Sequence, residues 1–247
     1  MARHFLELAG ATTLATDYLL MTHRAVGDLV QANAMGVVHG QAGLGKTYAV
    51  EETLARVEKR PTCWVSFPSR PSMKLVASRL LAAVTGVPSP NFDRFKLMGR
   101  LVEELRYPHR LIVVDEAQHL NSECLEFLRY LHDDRQTNFA LLLVGGDGTW
   151  EVLSREPMLR SRIYRRVIFK PLPSKDVPLL MRAYHPVYAS AEEELLLFVD
   201  DQFAHGNLRH WASFTYSAAR LCAETRIATL DENVVRNVFA LEAGALA

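Results

Sequence analysis

No stretch of the 247-residue sequence approaches the roughly 18 continuous apolar residues that a membrane-spanning helix needs. Neither sign of charge is in excess: 28 basic residues stand against 28 acidic ones. A bulk electrostatic grip on nucleic acid is therefore not indicated, and any such contact must come from local clusters. Cysteine is scarce. Cys63, Cys124 and Cys222 are widely spaced and have no C-x-x-C partner, which argues against a disulfide framework and suits small core residues in a reducing, cytoplasmic setting. The nine histidines lack metal-ligand spacing, so no structural zinc is expected. The N-terminus lacks the basic, apolar, small-residue succession of a secretion signal. There is no internal repeat and no low-complexity tract. What is plentiful is apolar residue: 49% of the chain, enough to bury one large domain, or one domain and a small lid.

Against that background one segment stands out. Gly40-Gln41-Ala42-Gly43-Leu44-Gly45-Lys46-Thr47 fits the phosphate-cradling pattern G-x-x-x-x-G-K-[ST] at every fixed position. The residues before it, Met35 to His39, read as a short buried strand, and Tyr48 to Arg60 as a helix, which is the context the motif requires. Glycines let the backbone turn its amides inward around phosphate oxygens, where a Cβ would obstruct. Lys46 supplies a mobile positive charge for the outer phosphates, and the Thr47 hydroxyl is placed to ligate Mg²⁺. A nucleoside triphosphate, ATP with Mg²⁺, is the expected ligand.

Along the rest of the chain, residues 1 to about 16 carry no strong signal and read as an arm or a helix borrowed by a neighbour. Thr22 to Asn33 has a helical stripe with Thr22 as its cap. Thr62 to Phe67 forms a second strand, followed by helices over Met73 to Val84 and Phe92 to Leu105. Leu111 to Val114 is a third strand, fully apolar; Asn121 caps a helix running through Leu131. Phe139 to Val144 is a fourth strand and Val167 to Phe169 a fifth. Continuous apolar strands alternating with helices predict an α/β fold with a parallel five-stranded sheet covered on both faces. Past Pro173 the strand signals stop. Residues 174 to 185, 190 to 202, 207 to 224 and 231 to 242 predict four helices, a C-terminal lid over 174–247 beside a nucleotide-binding domain over 1–173.

The third strand ends in Asp115-Glu116, about 70 residues after Lys46. In a parallel sheet that end lies beside the phosphate loop. Asp115 is placed to hold Mg²⁺ through water, and Glu116 to polarise the water that attacks the γ-phosphate. The fourth strand ends in Val144-Gly145-Gly146-Asp147-Gly148, where Gly146 has no side chain to sense the γ-phosphate and an Asp147 carboxylate would repel it. Arg160, Arg162, Arg165, Arg166 and Lys170 fall within eleven residues beside the fifth strand. There an arginine, Arg162 first and Arg166 second, is placed to enter a neighbouring subunit's site and stabilise the transferring phosphoryl group. His205-Gly206-Asn207-Leu208-Arg209 opens the third lid helix, and Arg209 is placed to reach back to the phosphates.

Those elements in that order resemble an AAA+ ATPase, with Walker A at Gly40 to Thr47, Walker B at Leu111 to Glu116, an arginine finger near Arg162 and a sensor-two arginine in Gly206-Asn207-Leu208-Arg209. Asp115-Glu116-Ala117-Gln118-His119-Leu120, Leu159-Arg160-Ser161-Arg162-Ile163 and Lys170-Pro171-Leu172 resemble the branch that includes the transposition regulators MuB, TnsC and TniB and the ExeA-like ATPases. The resemblance implies a P-loop NTPase that assembles as a ring or helical filament on double-stranded DNA, without sequence preference, and regulates or recruits a transposase. The segment after the second strand would meet the DNA, with Arg70, Lys74 and Arg79 as its basic residues. The alternative is an ATPase switch or loader that acts on a protein partner with no direct DNA grip. About 35 residues before the strand that leads into the phosphate loop leave no room for the helix-turn-helix domain of MuB-like proteins, and the peptidoglycan-binding region and membrane segment of ExeA-like proteins are not seen, so a compact TnsC- or TniB-like form is expected.

Overall fold

The computed structural model describes residues 8–56 and 61–245, with side chains as far as Leu241. The chain divides into two compact units, one built from Asp17–Ala42 and Lys46–Phe169, the other from the segment up to Thr16, Gly43–Gly45 and Lys170 onward. The lid expected from residue 174 thus sits in a unit that begins at Lys170 and takes in residues from the start of the chain. Residues 57–60, which the expected first crossover helix included, lie outside the described residues.

The first unit is a parallel sheet with helices. In chain order it runs α1 (Asp17–Ala32), β1 (Met35–Gly40), α2 (Lys46–Arg56), β2 (Thr62–Ser66), α3 (Met73–Thr85), α4 (Arg94–Glu104), β3 (Arg110–Asp115), α5 (Ser122–Asp133), β4 (Phe139–Gly145), α6 (Thr149–Ser154), α7 (Pro157–Arg160) and β5 (Ile163–Phe169). All five strands are parallel, in the order β2-β3-β4-β1-β5. The three inner strands are buried at every position, as a sheet covered on both faces requires. The outer strand β5 is largely exposed instead, with Val167 and Phe169 buried and Tyr164, Arg165, Arg166 and Ile168 exposed. Leu80, Leu97, Leu101, Leu125, Leu128 and Phe139 are among the residues of its core.

Local signals set several boundaries. The Ser72 hydroxyl, the Asp93 carboxylate and the Asn121 amide oxygen each accept from backbone N–H groups in the first turns of α3, α4 and α5. Two expectations are corrected. The first helix starts at Asp17, not at Thr22. Thr22 is no cap: it is buried inside α1 and its hydroxyl donates to the Tyr18 carbonyl at 2.7 Å. The fifth strand is longer than its apolar triplet and begins at Ile163, which places Arg165 and Arg166 within the strand.

The second unit is helical: α8 (Val177–Tyr184), α9 (Glu193–Val199), α10 (Leu208–Thr225) and α11 (Glu232–Ala245). α9 runs on into a π-helical turn, Asp200–Ala204. Trp211, Tyr188 and Phe214 are fully buried in its core. The polar groups inside are matched: the Asp200 carboxylate accepts from Trp211 Nε1 at 3.0 Å and from the Gly206 N–H at 2.7 Å, and Tyr188 and Thr215 share a hydroxyl–hydroxyl bond of 2.7 Å. Residues before α1 belong here. Leu14 packs against this core, the Thr12 N–H donates to the Tyr184 carbonyl at 2.8 Å, and His185 Nε2 lies 2.9 Å from the Ala9 carbonyl oxygen.

Candidate active site

The chemistry collects where the inner strands end. β1 runs out at Gly40, and the chain turns through the loop into α2, whose first residues are Lys46 and Thr47. Gly40, Gly43 and Gly45 all have positive φ, at 145°, 84° and 87°. A Cβ on Gly40 would collide with the Phe169 carbonyl at the end of β5. The loop is thus held in a conformation open only to glycine at these turns, with its backbone free to wrap an anion. Lys46 is buried, and its ammonium donates to the Gln41 carbonyl at 2.6 Å, folded over its own loop.

Strand register brings the acidic pair to the loop's root. Val114 of β3 lies level with Leu143 of β4, and Val144 lies level with Val38 of β1. Asp115, one step past Val114, therefore ends its strand level with the residues leading into Gly40, with β4 between. Asp115 is buried, and its Oδ1 accepts the Glu116 N–H at 2.9 Å. Burial pushes its carboxyl above the ordinary carboxylate range; the Glu116 N–H and the Lys46 ammonium pull the other way. A divalent cation would relieve the same burial, so this donor set of a buried carboxylate and the Thr47 hydroxyl fits Mg²⁺. Glu116 has left-handed backbone angles, φ 55° and ψ 41°, and its carboxylate accepts from the Gln118 side-chain amide.

The two arginines expected to act in a neighbouring site are both engaged within their own chain. Arg162 donates through Nε to Asp133 at 2.6 Å and through Nη1 to the Met158 carbonyl at 2.8 Å. Arg166 donates through Nε to His39 Nε2 at 2.9 Å and lies 3.8 Å above the Trp150 ring. His39 directly precedes Gly40, so Arg166 braces the strand that carries the chain's own loop. Burial and the adjacent Arg166 hold His39 below the ordinary histidine range, leaving a neutral ring to accept that bond. Gly148 stands at the N-cap of α6, without a side-chain bond.

In the second unit, Arg209 is exposed at the start of α10. Its N–H donates to Asn207 Oδ1 at 3.0 Å and to the Gly43 carbonyl at 2.9 Å, Gly43 being one of the loop residues that cluster with this unit. Arg70, Lys74 and Arg79 are exposed around α3. Lys74 donates to Asn91 Oδ1 at 2.9 Å, and Arg79 turns back to the Ser66 carbonyl at 2.8 Å, at the end of β2. His39, Trp150, Asp133 and Gln118 carry contacts that the sequence did not flag.

The AAA domain family matches residues 30–153, from the end of α1 through the loop and the acidic pair into α6. The chain belongs to that family. The sheet has its counterpart in the crystal structure of Cdc6p from Pyrobaculum aerophilum, with a TM-score of 0.72 over 95% of this chain and 69% of that one, at 17% identity. By sequence the chain is 28% identical over 146 residues to the Mu-like prophage FluMu DNA transposition protein B of Haemophilus influenzae, covering 59% of this chain. It is 27% identical over 214 residues to the ATP-dependent target DNA activator B of Escherichia phage D108, covering 83%. It spans 49% and 65% of the lengths of those two relatives. It is an AAA domain built on a P-loop fold. Among the described residues, no helix is long and apolar enough to cross a membrane.

Proposed function

We propose that this AAA domain ATPase is an ATP-dependent regulator of transposition that binds duplex DNA without sequence preference, assembles on it as a homo-oligomer and recruits a transposase. The observation that carries the reading is the likeness over 83% of the chain to a protein named for ATP-dependent activation of target DNA, and the glycine loop with its buried Lys46 and the buried Asp115 supports it.

In this reading the loop amides of Gly40 to Thr47 and the Lys46 ammonium hold the ATP phosphates. Thr47 and Asp115 hold Mg²⁺, which supplies charge neutralisation for the triphosphate. Glu116, released into solvent at the end of β3, takes a proton from water and so directs it toward the γ-phosphate. Arg162 serves a neighbouring subunit once it exchanges Asp133 for phosphate oxygens, a trade between two anions that its guanidinium geometry allows. Arg166 is the second candidate for that role. Arg209 couples nucleotide state to the helical unit. Arg70, Lys74 and Arg79 contact DNA phosphates, and the affinity they give falls steeply as salt rises.

The deciding experiment uses Glu116→Gln with ATP and duplex DNA. The variant is expected to bind ATP, to turn it over slowly and to accumulate as a large DNA-bound assembly in light scattering and electron microscopy. No ATP-dependent rise in mass with duplex present would remove the assembly reading. A switch acting on a protein partner is the second reading, and the inward-turned Arg79 favours it. Duplex affinity that stays flat as salt is raised would select it.

A further inference from the structure

The end of β4 is bare. Gly145 and Gly146 present no side chain at the point where the strand meets the acidic pair, yet the space is not empty of polar chemistry. Ala117–His119 forms a single 3₁₀ turn after Glu116, and that turn delivers the Gln118 amide to the end of β4. Gln118 Oε1 accepts the Gly146 N–H at 2.9 Å and lies 3.2 Å from the Thr149 hydroxyl. Its Nε2 donates to Glu116 Oε2. The orientation is forced: the Gly146 N–H is a fixed donor, so the amide must turn its oxygen there and its NH₂ toward the carboxylate. Gly145 makes room for this, because a Cβ there would collide with both Gln118 Oε1 and Thr149 Oγ1.

We propose that Gln118 is a positioning residue for ATP hydrolysis, supplying from the 3₁₀ turn the neutral polar side chain that β4 lacks. Its amide clamps one carboxylate oxygen of Glu116, leaves the other to meet water, and ties the carboxylate to the backbone of the neighbouring strand. Glu116 emerges on an unusual left-handed backbone, and without a clamp its side chain would sweep many rotamers. The inference rests on the reading of Glu116 as the residue that polarises water.

A purely structural Gln118 would serve only to pin the turn to β4. Gln118→Glu separates the two roles. The isosteric carboxylate still accepts from the Gly146 N–H and so keeps the pin, but it loses the donor to Glu116 and places like charge beside it. Steady-state turnover and ATP affinity are measured for the parent, Gln118→Glu, Glu116→Gln and the double variant, with melting temperatures as the check on folding. The expected result is a fall in kcat of roughly ten- to a hundredfold for Gln118→Glu, the range for a misplaced catalytic group, with ATP affinity within about threefold of the parent. In the double variant the Gln118 change adds nothing further to the loss from Glu116→Gln, because both act through one carboxylate. A kcat for Gln118→Glu equal to or above the parent's overturns the inference, as does a loss confined to ATP affinity. Should Glu116→Gln itself turn over ATP normally, the reading of Glu116 fails; if Glu116→Gln is silent and Gln118→Glu is not, only the role of Gln118 fails. Should the glutamate variant not fold, Gln118→Met, which removes both the pin and the donor, takes its place in the same cycle: a folded variant with the parent's kcat overturns the inference, as does a loss that Glu116→Gln does not mask.

Discussion

The two units handle buried polar groups in opposite ways. In the helical unit the polar interior is closed on itself: the Asp200 carboxylate is satisfied by Trp211 and Gly206, and Tyr188 by Thr215. In the sheet unit the buried Lys46 opens α2 and the buried Asp115 ends β3, beside a loop shaped for an anion, and burial leaves the Asp115 carboxyl with a raised proton affinity. The first arrangement spends its hydrogen bonds on one fixed packing. The second sets a buried ammonium and a buried carboxylate beside a glycine-rich loop of positive φ. Burial alone therefore does not mark a candidate site; what marks it is the charge and the backbone gathered around the buried groups.

That contrast can be broken in several places. Trp211→Ala should destabilise the protein most, by about 3–5 kcal/mol, since it empties the centre of the helical core and removes one of the two donors to the Asp200 carboxylate; chemical denaturation would measure it. Lys46→Ala should leave stability almost untouched yet lower ATP turnover by roughly a hundredfold or more, comparable to losing one preorganised charge at a phosphoryl group. A mild effect on turnover and a large one on melting would reverse the assignment of Lys46. Tyr188→Phe removes one buried hydroxyl and should cost about 1 kcal/mol, with activity intact.

The smallest expected effect is on pH dependence. His39 and His132 are both held below the ordinary histidine range, chiefly by burial. A histidine that resists protonation when folded binds protons more readily when unfolded. Its penalty is therefore absent above about pH 6.5 and grows as pH falls from there toward the folded-state value. The melting temperature of the parent should decline over that window. Replacing both residues with glutamine should flatten the decline, and an unchanged slope would count against either ring's burial.

The inner strands and the loop were legible in the sequence because their constraints are local: unbroken apolar runs for strands covered on both faces, and glycines followed by Lys-Thr for the turn. The cap at Asn121 was legible for the same reason. Misreadings arose where a residue's partner lies elsewhere. Thr22 looks like a cap in sequence, but its hydroxyl finds the carbonyl one turn back and the helix passes through it. The first half of β5 was missed because an edge strand exposes Tyr164, Arg165 and Arg166 and so carries no apolar run. Gln118 sits inside a recognisable signature, yet its meaning depends on a backbone amide 28 residues away that no local pattern encodes.

Glu116 holds left-handed angles that favour glycine or asparagine, a strain of order 1–2 kcal/mol for most side chains. The role proposed for its carboxylate gives a reason for a glutamate at so poorly suited a position. Asparagine there should melt a little higher than the parent and, on that role, turn over no ATP, so selection for robustness alone would drive this chain toward silence.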